Sequence, residues 1–208
     1  MSHDGYARLA DLLLAGMERA GFAALRRKLW EGLDAPRESG RLLELGVGSG
    51  RNRPHHPADW TVVGVDRSSA ILRRARSRGL ELVVAAEADR LPFRAACFEA
   101  VVETFVWCEV DHPVRSVAEA VEALADGGRM VMLDHVRPSG AAGTLADLLT
   151  RVSGPLVGEH WNRDTRTYVE PAPLRTLVEE TLSGGWMRML VLERESRSRV
   201  SPEGATTT

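Results

Sequence analysis

From residue 41 onward, short apolar runs alternate with segments of helical periodicity, and this alternation is the strongest constraint on the fold. Strands of a parallel sheet are nearly continuous apolar runs, because helices cover both faces of the sheet. We predict five such strands, over 42–45, 61–65, 81–85, 100–106 and 129–133. Helices between successive strands specify parallel pairing with right-handed crossovers. The sequence therefore predicts an α/β fold, a Rossmann-like doubly wound and mostly parallel sheet with helices on both faces.

Helical periodicity is also present on either side of these strands. An N-terminal helix is predicted over 6–33, with Gly21 as a point at which it can divide. Further helices are predicted over 70–75 (ending at Gly79), 114–124, 141–153 and 172–182, with a loop over 154–170. The apolar run 187–192 is a sixth strand, and residues 194–208 are polar and predicted to be disordered. The predicted sheet therefore has six strands or, if a seventh is supplied by another part of the chain, seven. Without a seventh strand, one sheet edge is open to a partner. A homodimer is a separate candidate assembly.

Composition excludes several classes of protein. The net charge is −2, with 44% hydrophobic and 27% charged residues, so the basic excess of a nucleic-acid-binding protein is missing. Two cysteines are too few for a disulfide framework or a zinc site, which fits a reducing cytoplasm. The apolar runs are far shorter than the roughly 18 residues of a membrane span, and no signal peptide is visible. His55 and His56 lack a third ligand at a suitable spacing, so we predict no metal.

A glycine-rich loop directly follows the first predicted strand, where open α/β folds bind ligands. Its glycines are Gly46, Gly48 and Gly50. Asp66 ends the second strand, 20 residues after the first of them, a position from which a carboxylate accepts the two hydroxyls of a ribose. The dinucleotide fingerprint requires a further glycine where this chain has Arg51 or Arg53. The loop thus suits a nucleoside joined to an amino acid, although the glycines alone also fit an ordinary tight turn.

With Glu44 at the start of the loop, this pattern resembles the class I S-adenosylmethionine-dependent methyltransferase family. The likeness covers about residues 38 to 140, including segments 86–93 and 98–108 and the glycine pair at 127–128. The resemblance implies S-adenosylmethionine as cofactor, adenine contacts from Glu87 (where aspartate is more usual) and the backbone of Ala88, and methionine contacts near Thr104. The implied cofactor site is Glu44, Gly46, Gly48, Gly50, Asp66, Arg67, Glu87, Ala88 and Thr104.

Segments 50–57, 134–136 and 158–165 are similar to a small-molecule branch of the family. This branch includes alkyl-thiol methyltransferases and lies near the quinone-biosynthesis and phospholipid N-methyltransferases; a cysteine often stands where this chain has Glu159. The resemblance implies a small, partly apolar methyl acceptor, and the balanced charge argues against a nucleic-acid partner. It also implies one domain over 1–193, with a helical cap (1–36), a cofactor-binding core (38–140) and substrate-side helices with the last strand (141–193).

His160 and His135 are the candidate general bases, because both are expected on the ligand side of the sheet. For each of them, hydrogen bonding within the loops is the alternative. Cys108 and Trp107, near the exit of the fourth strand, are expected to pack as apolar residues. Two other functions stay open: an RNA or protein methyltransferase, and a non-catalytic module that binds the cofactor and docks a partner.

Overall fold

The computed structural model describes residues 21–33, 39–157, 160 and 162–196. The strands are β1 (Gly40–Leu45), β2 (Trp60–Asp66), β3 (Leu82–Ala85), β4 (Phe98–Thr104), β5 (Leu124–His135), β6 (Leu174–Leu182) and β7 (Met187–Arg194). The helices are α1 (Ala23–Glu31), α2 (Ser69–Ser77), α3 (Pro113–Ala123), α4 (Gly140–Val157) and α5 (Arg166–Val169). Short 3-10 turns cover Arg53–His55 and Ser183–Gly185. No helix in the described part of the chain is long and apolar enough to span a membrane.

The described strands form one seven-stranded sheet in the order β3-β2-β1-β4-β5-β7-β6. The first five strands are parallel, and β7 runs antiparallel to both of its neighbours, β5 and β6. This order confirms the expected doubly wound, mostly parallel sheet. From β1 the chain continues to β2 on one side, and from β4 it continues to β5 on the other side. The strand order therefore reverses between β1 and β4, and the carboxyl ends of these two strands border a crevice at this topological switch point. Such crevices are where open α/β sheets bind ligands.

Two apolar layers sandwich the sheet. On one face, β-strand side chains such as Val101 and Met132 pack with Val117 and Val121 of α3. On the other face, Leu42 and its neighbours pack with side chains of α1. Strands β1 and β4 are buried over most of their length, which explains their nearly unbroken apolar sequences.

The described helices agree with most of the predicted helical segments. Helix α1 lies within the predicted helix 6–33, while residues 1–20 and 197–208 lie outside the described residues. Helix α2 has the predicted position, and Ser68 caps it by accepting a hydrogen bond from the Ile71 amide at 3.3 Å. Helix α4 extends to Val157 and α5 covers 166–169, so the predicted loop over 154–170 is partly helical.

The helix predicted near 172–182 is wrong, because this segment is strand β6. Its apolar residues are Leu174, Leu177, Val178 and Leu182, a spacing that imitates helical periodicity. The pairing register with β7 shifts between Thr176 and Val178, which is a β-bulge at Leu177. A bulge interrupts the alternation of a strand, so the helix-like spacing arises from an irregular strand. The antiparallel hydrogen bonds with β7 stabilise residues 174–182 as a strand.

The C-terminal hairpin supplies the seventh strand and corrects the predicted start of the polar tail. A seventh strand exists, and it precedes the run 187–192 in sequence instead of following it. The predicted polar tail begins too early, because Arg194 belongs to β7 and is only 3% exposed. Its guanidinium donates to the carbonyl oxygens of Val121 at 2.6 Å, of Glu122 at 3.2 Å and of Leu124. Arg194 therefore fastens the last described strand to the turn between α3 and β5.

We expect Arg194→Met to lower the free energy of unfolding by about 2–4 kcal/mol, because buried carbonyls lose charged donors. In a chain of this size, that loss lowers Tm by about 4–16 °C. Calorimetric or circular-dichroism melting measures the change. Arg175→Met is the control: Arg175 pairs with Glu193 on the same hairpin but is exposed, so its removal should cost less than about 1 kcal/mol. Equal losses in the two variants would contradict the fastening role.

Candidate functional site

The glycine-rich loop leaves β1 at the crevice, and each of its three glycines has a positive φ. A Cβ on Gly46 would lie 2.0 Å from Cγ2 of Val106, and one on Gly50 would lie 3.2 Å from Cα of Ala75. These two glycines allow the loop to pack closely against the segment that follows β4 and against α2. A Cβ on Gly48, in contrast, would have only the Gly46 carbonyl oxygen nearby, at 3.9 Å. Gly48 is therefore the glycine beside open space, where a ligand can approach the backbone.

The Asp66 carboxylate lies directly beside this loop, at the end of β2 as predicted. Its Oδ2 accepts a hydrogen bond from the Gly48 amide at 3.1 Å, and its Oδ1 accepts from the Ser68 amide at 2.8 Å. Burial raises the pKa of Asp66, and the two amide hydrogen bonds oppose this rise. Each carboxylate oxygen retains a lone pair after these bonds. The side chain can therefore accept two more hydrogen bonds, as recognition of a ribose diol requires.

The segment after β3 adjoins Asp66. The Ala86 amide donates to the Asp66 carbonyl oxygen at 3.2 Å, so Glu87 and Ala88 follow at the same edge of the crevice. The Glu87 side chain is exposed, and its charge contributes to the raised pKa of Asp66. Arg67 is also exposed, and its charge acts in the opposite sense. The structure thus brings the predicted ribose and adenine residues together along the ends of β2 and β3.

Glu44 is 1% exposed and lies in a buried polar network that the sequence did not predict. Asn52 Nδ2 donates to Glu44 Oε1 at 2.8 Å and lies 3.1 Å from Thr104 Oγ1. The imidazole of His56 approaches the other oxygen, with Nε2 2.7 Å from Glu44 Oε2. Arg26 of α1 completes the network by donating to Asn52 Oδ1 at 3.0 Å. Glu44 and Thr104, which are on different strands, are therefore joined through Asn52.

Side chains from three parts of the chain form an aromatic surface beyond the end of β4. Phe105 has a φ of 59° and ends the strand. Its ring stacks on the imidazole of His135, with 4.8 Å between centroids and 25° between planes, and contacts Phe22 at 5.3 Å. The guanidinium carbon of Arg26 lies 6.0 Å from the Phe105 centroid. This surface adjoins the Glu44 network, because Arg26 contacts both.

Both candidate bases lie next to Cys108. The Cys108 Sγ is 3.8 Å from His135 Nδ1, and the Cys108 carbonyl oxygen accepts from the His160 amide at 3.1 Å. Burial lowers the pKa of His135 to about 4, and burial together with the nearby charge of Arg163 lowers the pKa of His160. Both imidazoles are therefore predominantly neutral near pH 7. His135 is only 4% exposed, whereas His160 is partly accessible.

Two buried carboxyl groups lie beneath this histidine pair. Glu103 and Asp134 are fully buried near the carboxyl ends of β4 and β5. Burial raises the pKa of Asp134 to about 7 and raises the pKa of Glu103 well above its usual value, and the nearby charge of Asp134 adds to the rise at Glu103. Burial also raises the pKa of Cys108 far above its usual value, so its thiol is a poor nucleophile. This is consistent with Cys108 packing as an apolar residue.

Other predicted residues have simpler environments. Trp107 is fully buried and donates from Nε1 to Ser116 Oγ at 3.1 Å, as expected for a packing residue. Trp161 lies outside the described residues. Within the described part of the chain, no group of three or more His, Cys, Asp or Glu side chains could hold a metal ion.

The depressed pKa of His135 predicts a specific dependence of stability on pH. Between pH 6.5 and about 4 the unfolded chain binds a proton that folded His135 does not, so this residue lowers stability as the pH falls. Relative to His135→Gln, we expect the wild type to lose about 3 kcal/mol of unfolding free energy between pH 7 and pH 4. Urea denaturation of both proteins across this range measures the difference. Asp134 acts with the opposite sign, because its raised pKa favours the folded state at low pH, and its effect is common to both proteins.

Comparisons with known proteins agree with this geometry. Residues 43–132 match the methyltransferase domain family. Phosphatidylethanolamine N-methyltransferase from Cereibacter sphaeroides is 32% identical over 166 residues, which cover 74% of this chain and 80% of that protein. Demethylmenaquinone methyltransferase from Beutenbergia cavernae is 32% identical over 130 residues, which cover 62% of this chain and 52% of that protein.

The fold is also similar to that of a methyltransferase of known structure. The structure of an S-adenosylmethionine-dependent methyltransferase from Mesorhizobium loti superposes with a TM-score of 0.64 over 80% of this chain and 96% of the other, at 18% identity. The open backbone at Gly48 and the free lone pairs of Asp66 fit the cofactor of such enzymes. The chain therefore belongs to the methyltransferase domain family and is an S-adenosylmethionine-dependent methyltransferase.

Proposed function

We propose that this enzyme methylates a small, partly apolar acceptor that binds against the aromatic surface at the partly exposed rings of Phe22 and Phe105, which cover His135. The observation that carries this proposal is the position of that surface, directly beside the Glu44 network and beyond the end of β4. The names of two relatives give phosphatidylethanolamine and demethylmenaquinone as the molecules that are methylated. Each of these molecules combines a polar reactive group with a large apolar part. Two free cysteines, Cys97 and Cys108, support a reducing compartment such as the cytoplasm.

The cofactor residues divide by position around the crevice. Asp66 would accept the ribose hydroxyls, since its two oxygens are already oriented by backbone amides. Glu87 and the Ala88 amide would contact adenine at the neighbouring edge. Glu44 and Thr104 would hold the methionine part, while Gly46, Gly48 and Gly50 shape the backbone below it. Arg67 is exposed beside Asp66 and would contribute charge only.

When bound, S-adenosylmethionine supplies a methyl group on a positively charged sulfonium. The chain's task is to orient the acceptor atom in line with the methyl carbon and the sulfur, an effect worth up to roughly 7–11 kcal/mol in well-oriented systems. The leaving group of such a transfer would be a neutral thioether, so the one further task left to the chain would be to take a proton from an acceptor that arrives protonated. The aromatic surface would exclude water from this path.

For an acceptor that must lose a proton, we assign His160 as the general base that accepts this proton. His160 is partly accessible, whereas His135 is buried beneath the Phe105 ring. The lowered pKa of His160 keeps its imidazole neutral and able to accept a proton near pH 7. A base in this position contributes about 10²–10⁴-fold to the rate.

For a thiol or phenol acceptor, we expect His160→Gln to lower kcat at pH 7 by about 100-fold or more, with little change in the affinity for S-adenosylhomocysteine. The loss should shrink at high pH, where the acceptor ionises without help. Steady-state kinetics from pH 6 to 10 measure both effects. His135→Gln is the comparison: similar rate losses at every pH in the two variants would assign both histidines a positioning role.

The proposed acceptor class is tested by assaying the pure protein with a panel of thiols, phenols, amines and quinols, each in a short-chain and a long-chain form. Faster turnover of the longer apolar members would support the proposal. Retention of RNA at physiological salt with methylation of that RNA would instead favour a macromolecular acceptor. Cofactor binding without turnover of any panel member would favour the role of a docking module.

A further inference from the structure

The Glu44 network links helix α1 to the crevice, and the reaction as described leaves three of its members without a role. These members are Arg26, Asn52 and His56. Their side chains are buried: Arg26 is 7% exposed, Asn52 is 4% exposed, and the His56 side chain is 3% exposed. Buried polar side chains are costly unless they are fully hydrogen-bonded, so a network of this kind specifies one arrangement.

Asn52 is the central member because it contacts three residues from different elements. Its amide nitrogen serves Glu44 of β1 at 2.8 Å and Thr104 of β4 at 3.1 Å. Its carbonyl oxygen accepts from Arg26 of α1 at 3.0 Å. Asn52 therefore joins the side chains of Glu44 and Thr104 across the paired strands β1 and β4.

His56 fixes the second oxygen of Glu44. Its Nε2 is 2.7 Å from Glu44 Oε2, and its ring packs against Trp30 of α1 with 5.0 Å between centroids. Helix α1 thus contacts the Glu44 carboxylate by two routes, through Arg26 and Asn52 and through Trp30 and His56. The carboxylate can neither rotate nor shift unless these contacts with α1 also change.

We propose that Asn52 and His56 are positioning residues that orient Glu44 and Thr104 towards the cofactor, and that this network couples the docking of α1 to cofactor binding. The inference rests on the proposed cofactor role of Glu44 and Thr104. If α1 is docked for only a fraction of the time, the apparent dissociation constant rises by the inverse of that fraction. Cofactor binding in turn favours the docked helix to the same extent, because such coupling is reciprocal.

The first test measures the affinity for S-adenosylhomocysteine by calorimetry. We expect Asn52→Leu to weaken binding about 10- to 100-fold, and to raise the KM for the cofactor while kcat at saturation changes by less than about threefold. Arg26→Met removes the hydrogen bond to Asn52 and the charge beside the Phe105 ring, and should weaken binding about 3- to 10-fold. Arg41→Met is its matched control, because Arg41 pairs with Glu99 at the surface, and it should bind as the wild type does.

The second test separates a hydrogen bond from packing at position 56. His56→Gln keeps a donor for Glu44 and should retain most of the affinity. His56→Phe keeps a ring against Trp30 but has no donor, so it should bind about tenfold more weakly. Equal affinities for the two variants would overturn the positioning role of His56.

The third test reads the coupling itself. In the wild type, S-adenosylhomocysteine should slow hydrogen exchange of the α1 amides, and in Arg26→Met this added protection should fall. If Asn52→Leu lowers Tm but leaves the affinity unchanged, the network has a structural role only. The same conclusion follows if S-adenosylhomocysteine does not change the hydrogen exchange of the α1 amides. If Asn52→Leu does not fold, the affinities of Arg26→Met, His56→Gln and His56→Phe test the proposal instead. A wild type that fails to bind would refute the proposed function itself, whereas equal binding by wild type and variants refutes only this inference.

Discussion

Asp66→Ala is expected to weaken S-adenosylhomocysteine binding by about 100-fold or more. The carboxylate is oriented by the amides of Gly48 and Ser68, so its remaining lone pairs point in fixed directions. Two hydrogen bonds from a ribose to a charged acceptor contribute about 3–6 kcal/mol together, and every 1.4 kcal/mol is a tenfold change in affinity. Isothermal titration calorimetry of the wild type and the variant measures the loss.

Asp59→Ala is the matched control, since Asp59 precedes the same strand at its opposite end and is exposed. It should bind the ligand as the wild type does. Asp66→Asn adds a finer comparison, because it keeps the shape of the side chain but replaces one acceptor oxygen by a donor. Undiminished affinity in Asp66→Ala would remove the ribose assignment and, with it, the proposed orientation of the cofactor.

Gly46→Ala is expected to destabilise the fold by about 2–5 kcal/mol. Two costs combine: a non-glycine residue at a φ of 65° loses roughly 1–2 kcal/mol, and overpacking a filled core costs roughly 1–3 kcal/mol. The overpacking arises because the new methyl group would overlap Cγ2 of Val106. Denaturation with urea, monitored by tryptophan fluorescence, measures the change in unfolding free energy.

Gly48→Ala isolates the first of these costs. Its φ of 53° is equally unfavourable for alanine, but the added methyl group meets open space, so about 1–2 kcal/mol is expected. Val106→Ala in the Gly46→Ala background should recover part of the stability, giving a less than additive double mutant. Full additivity would mean that the overlap with Val106 is relieved elsewhere. Gly48→Ala should nevertheless lower cofactor affinity, because its methyl group enters the proposed binding space.

The parallel core and the positions of Asp66 and the glycine loop could be predicted because their signals are local. A buried strand is apolar throughout its length, and a carboxylate at the end of the next strand must lie at the same edge of the sheet. Strand β6 could not be predicted in this way. Its bulge at Leu177 disguises the two-residue period, and its partner strand is identified only by a pairing between distant segments.

The buried network around Glu44 illustrates a second limit. Asn52 and His56 lie close to the glycine loop in sequence, but nothing in the sequence indicates that they contact Glu44. Their function depends on α1 and β4, which supply Arg26 and Thr104 from 26 and 52 residues away from Asn52. No periodicity marks such partners, because a hydrogen bond between side chains is a property of the folded arrangement alone. An asparagine soon after a glycine loop, two positions past Gly50, is the one signal that could have drawn attention to it.

The location of β7 has a consequence for how the protein is made. This strand is the last in the described chain, yet it occupies an interior place in the sheet, between β5 and β6. Until residues 187–194 have been synthesised, β5 has a bare hydrogen-bonding edge and β6 has no neighbour at all. Exposed strand edges promote association between chains. A nascent polypeptide is accordingly most prone to aggregate just before its final hairpin closes, and shielding by a chaperone would matter most at that moment.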